Sequence, residues 1–327
     1  MELAKIFSDN MVLQAGKAVY FFGKGAGKVK VSFAKQSYEK TFAEENWALK
    51  IPPQPYGEPL DVVIELAGEK RMLNNVVFGD VFLCAGQSNM QFTIREEKGE
   101  NLAQNDKHIR YFCCDRPEEH NGIKSADGWL PCENDKWLGW SALGTHIAQY
   151  YREKRDVYVG VIGCFQGASG IRSWLPKKAL DESVFIPLEL LHGDYRHEKA
   201  GIWNSDSFLY DHTFSPIVPY AVKAVVWYQG ETDTTVAEGK VYMEMLVRLI
   251  QGWRSDLKDT ELPFVVVEIC DYEKRMDEGW YIIQHCQREV ETRIQNVRVV
   301  SSKDVCEHCD IHPTNKQKLA KKIASVL

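Results

Sequence analysis

The chain has 327 residues, of which 44% are hydrophobic and 26% charged, so it can bury a substantial core and is not an intrinsically disordered protein. Its formal net charge is −6, its isoelectric point is near 5.9, and its lysines and arginines are dispersed, which argues against a nucleic-acid partner. No apolar run reaches the roughly 18 to 20 residues that a membrane span requires, so we expect no membrane partner.

Nine cysteines occur at irregular positions, and their odd number leaves at least one thiol free. This pattern differs from a disulfide framework and favours a reducing compartment. We therefore expect a cytoplasmic protein from the sequence as it stands, or a secreted or periplasmic one if a signal peptide has been removed.

Residues 1–75 have the pattern of short strands separated by turns. Alternating segments of the strand type occur at 18–22, 28–33 and 60–66, with glycine- and proline-rich pieces between them. No helical pattern follows these glycines, so they do not indicate a phosphate-binding loop. The pattern predicts a small β-sandwich domain over residues 1–75.

From residue 76 onward, buried strands alternate with helices, which predicts a second domain over 76–327. The core strands are predicted at 81–85, 157–162, 224–228, 264–269 and 297–301. The helices are predicted near 142–154, 239–256, 276–292 and 314–326. This alternation is typical of the α/β class, with a parallel sheet between helices on both faces. The irregular stretches 117–139 and 177–214 are expected to shape a substrate pocket.

The stretch Gly79–Met90, GDVFLCAGQSNM, joins the first buried strand to a serine at a turn. Its unbroken apolar run fits a strand covered on both faces, and Gly86 allows a sharp turn after it. The Ser88 hydroxyl would then lie at the carboxyl edge of the sheet, where open α/β folds bind their ligands. Ser88 is therefore the candidate nucleophile, although GQSNM lacks the second glycine of the G-x-S-x-G elbow of ordinary α/β-hydrolases.

Two later segments could supply the N–H donors that ester hydrolysis needs at the carbonyl oxygen. Residues 159–170 run from a strand into a glycine-rich loop, and residues 227–233, WYQGETD, follow the end of another strand. On the residues alone, the first segment also fits an ordinary strand-to-helix turn, and Gln229 could instead satisfy loop backbone groups. Glu231 and Asp233 could in principle form a carboxylate pair of the glycosidase type.

A base for Ser88 is available near the carboxyl terminus, where His312 lies in the segment DVCEHCDIHP. Thr314 and Gln317 have the spacing of a capping box, which places the histidine in a loop just before a final helix. An imidazole activates a hydroxyl best when its other nitrogen has an acceptor. Asp304 and Asp310 are both available on the same loop.

The same loop also contains Cys306 and Cys309, whose Cys-x-x-Cys spacing is half of a zinc site. No second pair lies at an obvious spacing. We therefore expect no metal and no cofactor.

Three motifs in order along the chain, GDVFLCAGQSNMQF, WYQGETD and DIHPTNK, resemble the sialate O-acetylesterase family of carbohydrate esterases, a branch of the SGNH (GDSL-like) hydrolases. The resemblance extends over nearly the whole chain, including KIFSDNMVLQ near the amino terminus and VGVIGCFQGASGIRSW in the middle. It implies an SGNH-hydrolase-like three-layer α/β/α domain with a parallel sheet, preceded by the small β-sandwich domain.

The resemblance implies a serine carbohydrate esterase that removes O-acetyl groups from a sugar through an acyl-enzyme intermediate. Ser88 would attack the ester and His312 would shuttle the proton. The wider SGNH pattern Asp-x-x-His would put the orienting acid at Cys309, whereas the family's Asp-Ile-His pattern is kept by Asp310. Asp310 is therefore the expected acid, with Asp304 as the alternative.

The resemblance also implies the remaining site residues. The oxyanion hole would consist of the backbone N–H groups of Ser88 and Gly167 and the side-chain amide of Gln229. Substrate-binding candidates are Gln87, Asn89 and Glu231. The family's Ser-Trp-Gly-Gly is replaced by Phe-Gln-Gly-Ala around Gly167, so the preferred sugar stays open.

Two alternatives stay open at this point. The chain could be a carbohydrate-binding relative that keeps the fold without turnover, or an esterase with acetylxylan specificity. In each case the expected partner is an O-acetylated sugar or glycan. The sequence predicts nothing about the oligomeric state.

Overall fold

The structure is a computed structural model that describes residues 2–98, 104–117, 128–193 and 203–327. The strands are β1 (Glu2–Leu3), β2 (Val12–Gln14), β3 (Val19–Lys24), β4 (Gly27–Phe33), β5 (Gln36–Phe42), β6 (Asn46–Ile51), β7 (Leu60–Leu66), β8 (Glu69–Gly86), β9 (Asp106–Cys113), β10 (Leu130–Cys132), β11 (Val159–Phe165), β12 (Ala224–Tyr228), β13 (Phe264–Glu268) and β14 (Val297–Ser301). The α-helices discussed below are α1 (Ser88–Gln91), α2 (Ala142–Arg152), α3 (Val236–Asp256), α4 (Glu278–Arg293) and α5 (Gln317–Val326).

Short helices of other types connect these elements. The 3-10 helices are Ile94–Glu96, Lys136–Gly139, Ile171–Trp174, Lys177–Ala179, Glu182–Val184, Leu188–Leu190 and Ser215–Ile217, and Tyr210–Phe214 is a π-helix. Parts of the two irregular stretches expected to shape a pocket, 118–127 and 194–202, lie outside the described residues.

The amino-terminal strands pair in two antiparallel groups. Strands β1, β3 and β6 form one sheet, while β4 lies between β5 and β7. The segments predicted as strands near 18–22, 28–33 and 60–66 correspond to β3, β4 and β7, so these three predictions are confirmed.

Strand β8 is 18 residues long and takes part in both halves of the chain. Its first half pairs antiparallel with β7, and its second half pairs in parallel with β11 and β12. The strand crosses the predicted boundary between residues 75 and 76 without interruption. Its last eleven residues, 76–86, are all buried, as expected for a strand covered on both faces.

The central part of the large sheet has the order β10-β9-β11-β8-β12-β13-β14. Every pair from β9 to β14 in this order is parallel, while β10 is antiparallel to β9. All five predicted core strands are present, and the sheet is mixed because β10, β7 and the other amino-terminal strands join it. In the register, Phe165 of β11 and Tyr228 of β12 both lie opposite Gly86, so three strands end at the same edge.

The long helices pack in two pairs, α2 with α5 and α3 with α4. The four predicted helices are confirmed, with ends that differ by up to three residues. The predicted capping box is wrong: α5 begins after Lys316, and the Thr314 hydroxyl donates instead to Glu307 Oε1 at 3.0 Å. Within the described residues, no helix combines the length and apolar character needed to cross a bilayer.

Candidate active site

The turn that carries Ser88 depends on the backbone of Gly86. Gly86 has φ = 138°, and a Cβ atom there would lie 2.0 Å from the carbonyl oxygen of Tyr228, so no side chain fits. The Gln87 N–H then donates to that same carbonyl at 3.0 Å. Ser88 follows as the first residue of α1 and therefore lies at the carboxyl end of β8, beside β12.

His312 lies next to the Ser88 hydroxyl, although 224 residues separate the two in the sequence. Its Nε2 atom is 2.8 Å from Ser88 Oγ, which is hydrogen-bonding distance. The histidine belongs to the loop between β14 and α5 and is half-buried. The two residues that the sequence motifs indicated as nucleophile and base are thus in contact.

The surroundings of His312 favour its neutral form. Burial lowers the pKa of His312, and the nearby Lys316 ammonium lowers this pKa further, whereas the carboxylates of Asp310 and Glu96 oppose the shift. A neutral imidazole has a free lone pair for the Ser88 proton. The arrangement can therefore act as a general base near neutral pH.

The two candidate acids differ in what they contact. Asp310 is exposed, and its Oδ1 accepts the backbone N–H of His312 at 2.9 Å. Asp304 accepts Lys322 Nζ at 2.6 Å, and this bond lowers the pKa of its carboxyl group. The Nδ1 atom of His312 has no hydrogen-bond partner among the described residues. The structure therefore brings Asp310 to the His312 backbone and holds Asp304 at Lys322.

Gly167 packs directly against the candidate nucleophile. A Cβ atom on Gly167 would lie 3.6 Å from Ser88 Cβ. Its N–H donates to the side-chain oxygen Oε1 of Gln91 at 2.8 Å. The N–H of Ser88, at the start of α1, has no intrahelical acceptor. Two backbone donors thus lie beside the hydroxyl, one of them occupied by a side chain that an incoming oxygen atom could replace.

Gln229 is completely buried, and its amide lies in a dense set of protein contacts. The Nε2 atom donates to Ser169 O at 2.9 Å and to Asp233 Oδ2, while Oε1 accepts the Tyr242 hydroxyl at 3.1 Å. Both hydrogens of the amide are therefore engaged. In this arrangement Gln229 connects the loop after β11 to the loop after β12.

The three substrate-binding candidates are also buried. Gln87 Oε1 lies within 3.3 Å of the backbone N–H groups of Gly230 and Thr232. Asn89 Nδ2 donates to Glu231 Oε1 at 2.6 Å and to the carbonyl of Ile311 at 2.9 Å. These side chains therefore join the Ser88 turn to neighbouring loops.

Glu231 and Asp233 are buried among protein groups, whereas a glycosidase pair has to face the sugar. Burial raises the pKa of Glu231, and burial raises the pKa of Asp233 well above its usual range. Asp233 accepts the Ile171 N–H at 3.0 Å as well as the Gln229 amide. Both carboxyl groups lie inside the network that supports the loops.

Lys316 and Gln91 contribute to the site but were not predicted from the sequence. Lys316 is completely buried, and its Nζ donates to Asn89 Oδ1 at 2.7 Å. It is the last residue of the motif DIHPTNK, but its residue type did not indicate a buried site residue, because lysine is rarely buried. Gln91 lies in the motif GQSNMQF, whose spacing alone does not reveal its contact with Gly167.

The described residues contain no group of three or more His, Cys, Asp or Glu side chains that could hold a metal ion. Cys306 is buried, whereas Cys309 is exposed. All nine cysteines lie in the described ranges, and none of them is in a disulfide bond.

A family model described as "Carbohydrate esterase, sialic acid-specific acetylesterase" matches residues 78–326. The sialate O-acetylesterases of Homo sapiens and Rattus norvegicus are 24% and 23% identical to the chain over 368 and 394 aligned residues. Each alignment covers 97% of this chain, with 68% of the human and 71% of the rat protein.

Two solved structures resemble the fold. A carbohydrate acetylesterase from Xanthomonas citri has a TM-score of 0.83 at 23% identity, covering 99% of this chain and 74% of that one. A protein from Arabidopsis thaliana has a TM-score of 0.52 at 18% identity, covering 76% of this chain and 97% of that one. At these identities the likeness shows the fold alone.

Proposed function

This chain belongs to the sialic acid-specific acetylesterase family of carbohydrate esterases, a family of carboxylic ester hydrolases, and we propose that it removes O-acetyl groups from a sugar by a serine mechanism. The observation that carries the proposal is the 2.8 Å contact between Ser88 Oγ and His312 Nε2. A hydroxyl becomes an effective nucleophile when an adjacent imidazole removes its proton.

In the first half of the reaction, His312 Nε2 accepts the Ser88 proton while Oγ attacks the acetyl carbonyl carbon. The tetrahedral intermediate then collapses, and the bond between that carbon and the sugar oxygen breaks. The sugar oxygen takes the proton from Nε2 and leaves as an alcohol, with the acetyl group on Ser88.

In the second half, a water molecule gives a proton to His312 Nε2 as its oxygen attacks the acetyl carbon. The bond to Ser88 Oγ breaks, Oγ recovers the proton from Nε2, and acetic acid leaves and gives its remaining proton to solvent to form acetate. Asp310, next to the His312 backbone, is proposed as the group that orients the base, with Asp304 as the alternative.

The oxyanion would be stabilised by the Ser88 and Gly167 N–H groups, because both lie beside the hydroxyl. Using Gly167 requires the oxyanion to replace Gln91 Oε1, an exchange of one acceptor for a more strongly charged one. Gln229 is the third proposed donor, and it would have to release Ser169 or Asp233 to take part. Gln87, Asn89 and Glu231 are proposed as substrate-binding residues that act through the loops they hold around the Ser88 turn.

We further propose that residues 76–327 form an SGNH-like three-layer domain, preceded by a small β-sandwich over residues 1–75. The parallel order of β9 to β14 and the two helix pairs support the first part. The two antiparallel strand groups before residue 75 support the second.

The proposed substrate is an O-acetylated sugar or glycan, as the family description indicates. A panel of acetylated sialic acids, acetylated xylan and simple acetylated hexoses, assayed for released acetate, would identify the preferred class. Release from an aryl acetate but from no sugar in the panel would contradict the carbohydrate part of the proposal.

The serine mechanism is tested with Ser88→Ala. We expect at least a 10³-fold loss of kcat with an unchanged melting temperature, since Ser88 begins a turn and, among the described residues, its hydroxyl hydrogen-bonds only to His312. A fluorophosphonate should label one serine in the wild type and none in this variant. Ser325→Ala, an exposed serine on α5, serves as the control and should match the wild type. Persistent labelling or near-normal kcat in Ser88→Ala would overturn the assignment.

A further inference from the structure

A chain of buried polar groups lies next to the Ser88–His312 pair. Lys316 Nζ donates to Asn89 Oδ1 at 2.7 Å, and Asn89 Nδ2 donates to Glu231 Oε1 at 2.6 Å. A cation and a carboxyl group are thus joined through one amide. All three residues are nearly inaccessible to solvent, with Glu231, at 4%, the most exposed.

The amide at the centre of this chain also holds the loop that carries the base. Asn89 directly follows Ser88, and its Nδ2 donates a second hydrogen bond, at 2.9 Å, to the carbonyl of Ile311, which directly precedes His312. Every hydrogen-bonding atom of the Asn89 side chain is therefore used. One side chain fixes the spacing between the two residues whose contact the reaction requires.

A charged lysine side chain is energetically unfavourable at position 316. It is completely buried, and it occupies the N-cap position of α5, where the positive end of the helix dipole disfavours a cation. Its ammonium lies 4.9 Å from the ring centroid of Phe92, a favourable but weak contact. Neither burial nor helix capping explains a lysine here, whereas its bond to Asn89 does.

We propose that Lys316 is a positioning residue for ester hydrolysis, which acts through Asn89 and Glu231 to hold the Ser88 turn against the His312 loop. This inference rests on the proposed function. Lys316 does not need to touch substrate: its hydrogen bond fixes the orientation of the Asn89 amide, and the amide in turn fixes both neighbours.

The charges around the two groups support the same role. Four groups near Lys316 favour its charged form: Glu231 after β12, Glu97 after the 3-10 helix Ile94–Glu96, and Cys306 and Glu307 on the loop after β14. Burial nevertheless lowers the pKa of Lys316 to about 8. His312 faces Asp310, Glu96 and Lys316. Of these three, only Lys316 opposes protonation of the base. Its removal should therefore raise the pKa of His312.

The test compares Lys316→Met with Lys318→Met, an exposed lysine on the same helix that serves as the matched control. With an aryl acetate as substrate, we expect Lys316→Met to lower kcat at least about tenfold and to change KM less than about twofold. The acidic limb of its kcat/KM profile should move to higher pH. Lys318→Met should match the wild type in all three quantities.

A second variant separates positioning from general loss of stability. In Lys316→Met/Glu231→Gln no uncompensated charge is left in the buried chain, so we expect part of the lost kcat to return while the acidic limb stays above the wild-type position. A wild-type kcat and acidic limb in Lys316→Met overturn the inference. If Lys316→Met does not fold, an acidic limb at the wild-type position in the double variant overturns it instead. Activity that survives in Ser88→Ala would contradict the proposed function, a result distinct from either of these.

Discussion

The base and its candidate acid are held by different kinds of contact. His312 contacts Ser88 through a ring nitrogen, whereas Asp310 accepts the backbone N–H of His312, and no carboxylate of the described residues lies at hydrogen-bonding distance from the ring. In the serine-protease template, loss of an acid bonded to the ring cost about 10⁴-fold in kcat. Because Asp310 acts here through the backbone and through its charge, we expect a smaller effect.

The comparison of Asp310→Asn with Asp304→Asn tests this difference. We expect Asp310→Asn to lower kcat at least about tenfold but less than the roughly 10⁴-fold of the template, because Asn can still accept the backbone N–H but carries no charge. The acidic limb of its kcat/KM profile should move to lower pH, since Asp310 raises the pKa of His312. Asp304→Asn is the matched surface control and should keep kcat within about twofold, because an exposed ion pair contributes little. A large loss confined to Asp304→Asn would reverse the assignment.

The sequence reveals site residues when a reactive side chain stands at the end of a recognisable strand or at the start of a recognisable helix. A serine after a buried strand and a histidine just before a final helix could be recognised, and the structure brings Ser88 and His312 together. The contribution of Lys316 could not be recognised in the same way. Its role depends on burial and on a contact with Asn89, far away in the sequence, and no local pattern distinguishes it from the exposed Lys318 and Lys321 on α5.

The loops that follow β11 and β12 are held together by the Gln229 amide. Its Nε2 bonds to Ser169 and Asp233, and its backbone oxygen accepts Gln287 Nε2 at 2.7 Å from α4. Removal of the side chain deletes the hydrogen bonds to Ser169, Asp233 and Tyr242 and leaves the buried Ser169 carbonyl without this donor, and a buried group that loses its partner costs about 1–3 kcal/mol. The connection between the loops after β11 and β12 therefore depends on Gln229, whether or not its amide also contacts the oxyanion.

Gln229→Ala separates these two roles. If the amide mainly supports the loops, the variant should have a clearly lower melting temperature and a kcat loss of less than about 10²-fold at temperatures where it stays folded. Loss of a true oxyanion donor typically costs about 10² to 10³ in kcat. A kcat loss in that range with an unchanged melting temperature would therefore make Gln229 the third donor. Gln295→Ala, at an exposed glutamine, serves as the control and should match the wild type in both quantities.

Elements with continuous apolar runs were predicted well, and those with mixed composition were not. Strands β11 to β14 and the four long helices follow clear patterns, so their presence was predictable. Strand β9, DKHIRYFC, mixes charged and apolar residues, because its first half is partly exposed and only its second half enters the core. The capping box at Thr314 failed because tertiary contacts with Glu307 determine where that side chain points.

The amino-terminal strands and the parallel sheet share one continuous core. The Tyr220 hydroxyl donates to Val12 O at 2.8 Å, and Trp129 Nε1 donates to Ile6 O at 2.9 Å. Gln14 accepts the N–H of Val81 on β8 at 2.9 Å and donates to the buried Asp80 at 3.0 Å. These contacts cross the predicted division between residues 75 and 76, and β8 itself runs through it. The domain boundary predicted from the strand pattern therefore does not separate two independent cores.

We expect the whole chain to unfold in one cooperative transition, because neither half can expose this shared core without losing contacts of the other. Thermal unfolding followed by far-UV circular dichroism and by tryptophan fluorescence should then give coincident midpoints. Gln14→Ala should lower that common midpoint, since it leaves the buried Val81 N–H without its acceptor, at about 1–3 kcal/mol, and removes one of the hydrogen bonds to Asp80, which keeps those from Tyr56, Tyr151 and Lys223. Gln295→Ala, which is exposed and keeps its main-chain bond to Arg254, should not change the midpoint. Two separate transitions, with Gln14→Ala affecting only one, would show instead that residues 1–75 fold as a unit of their own.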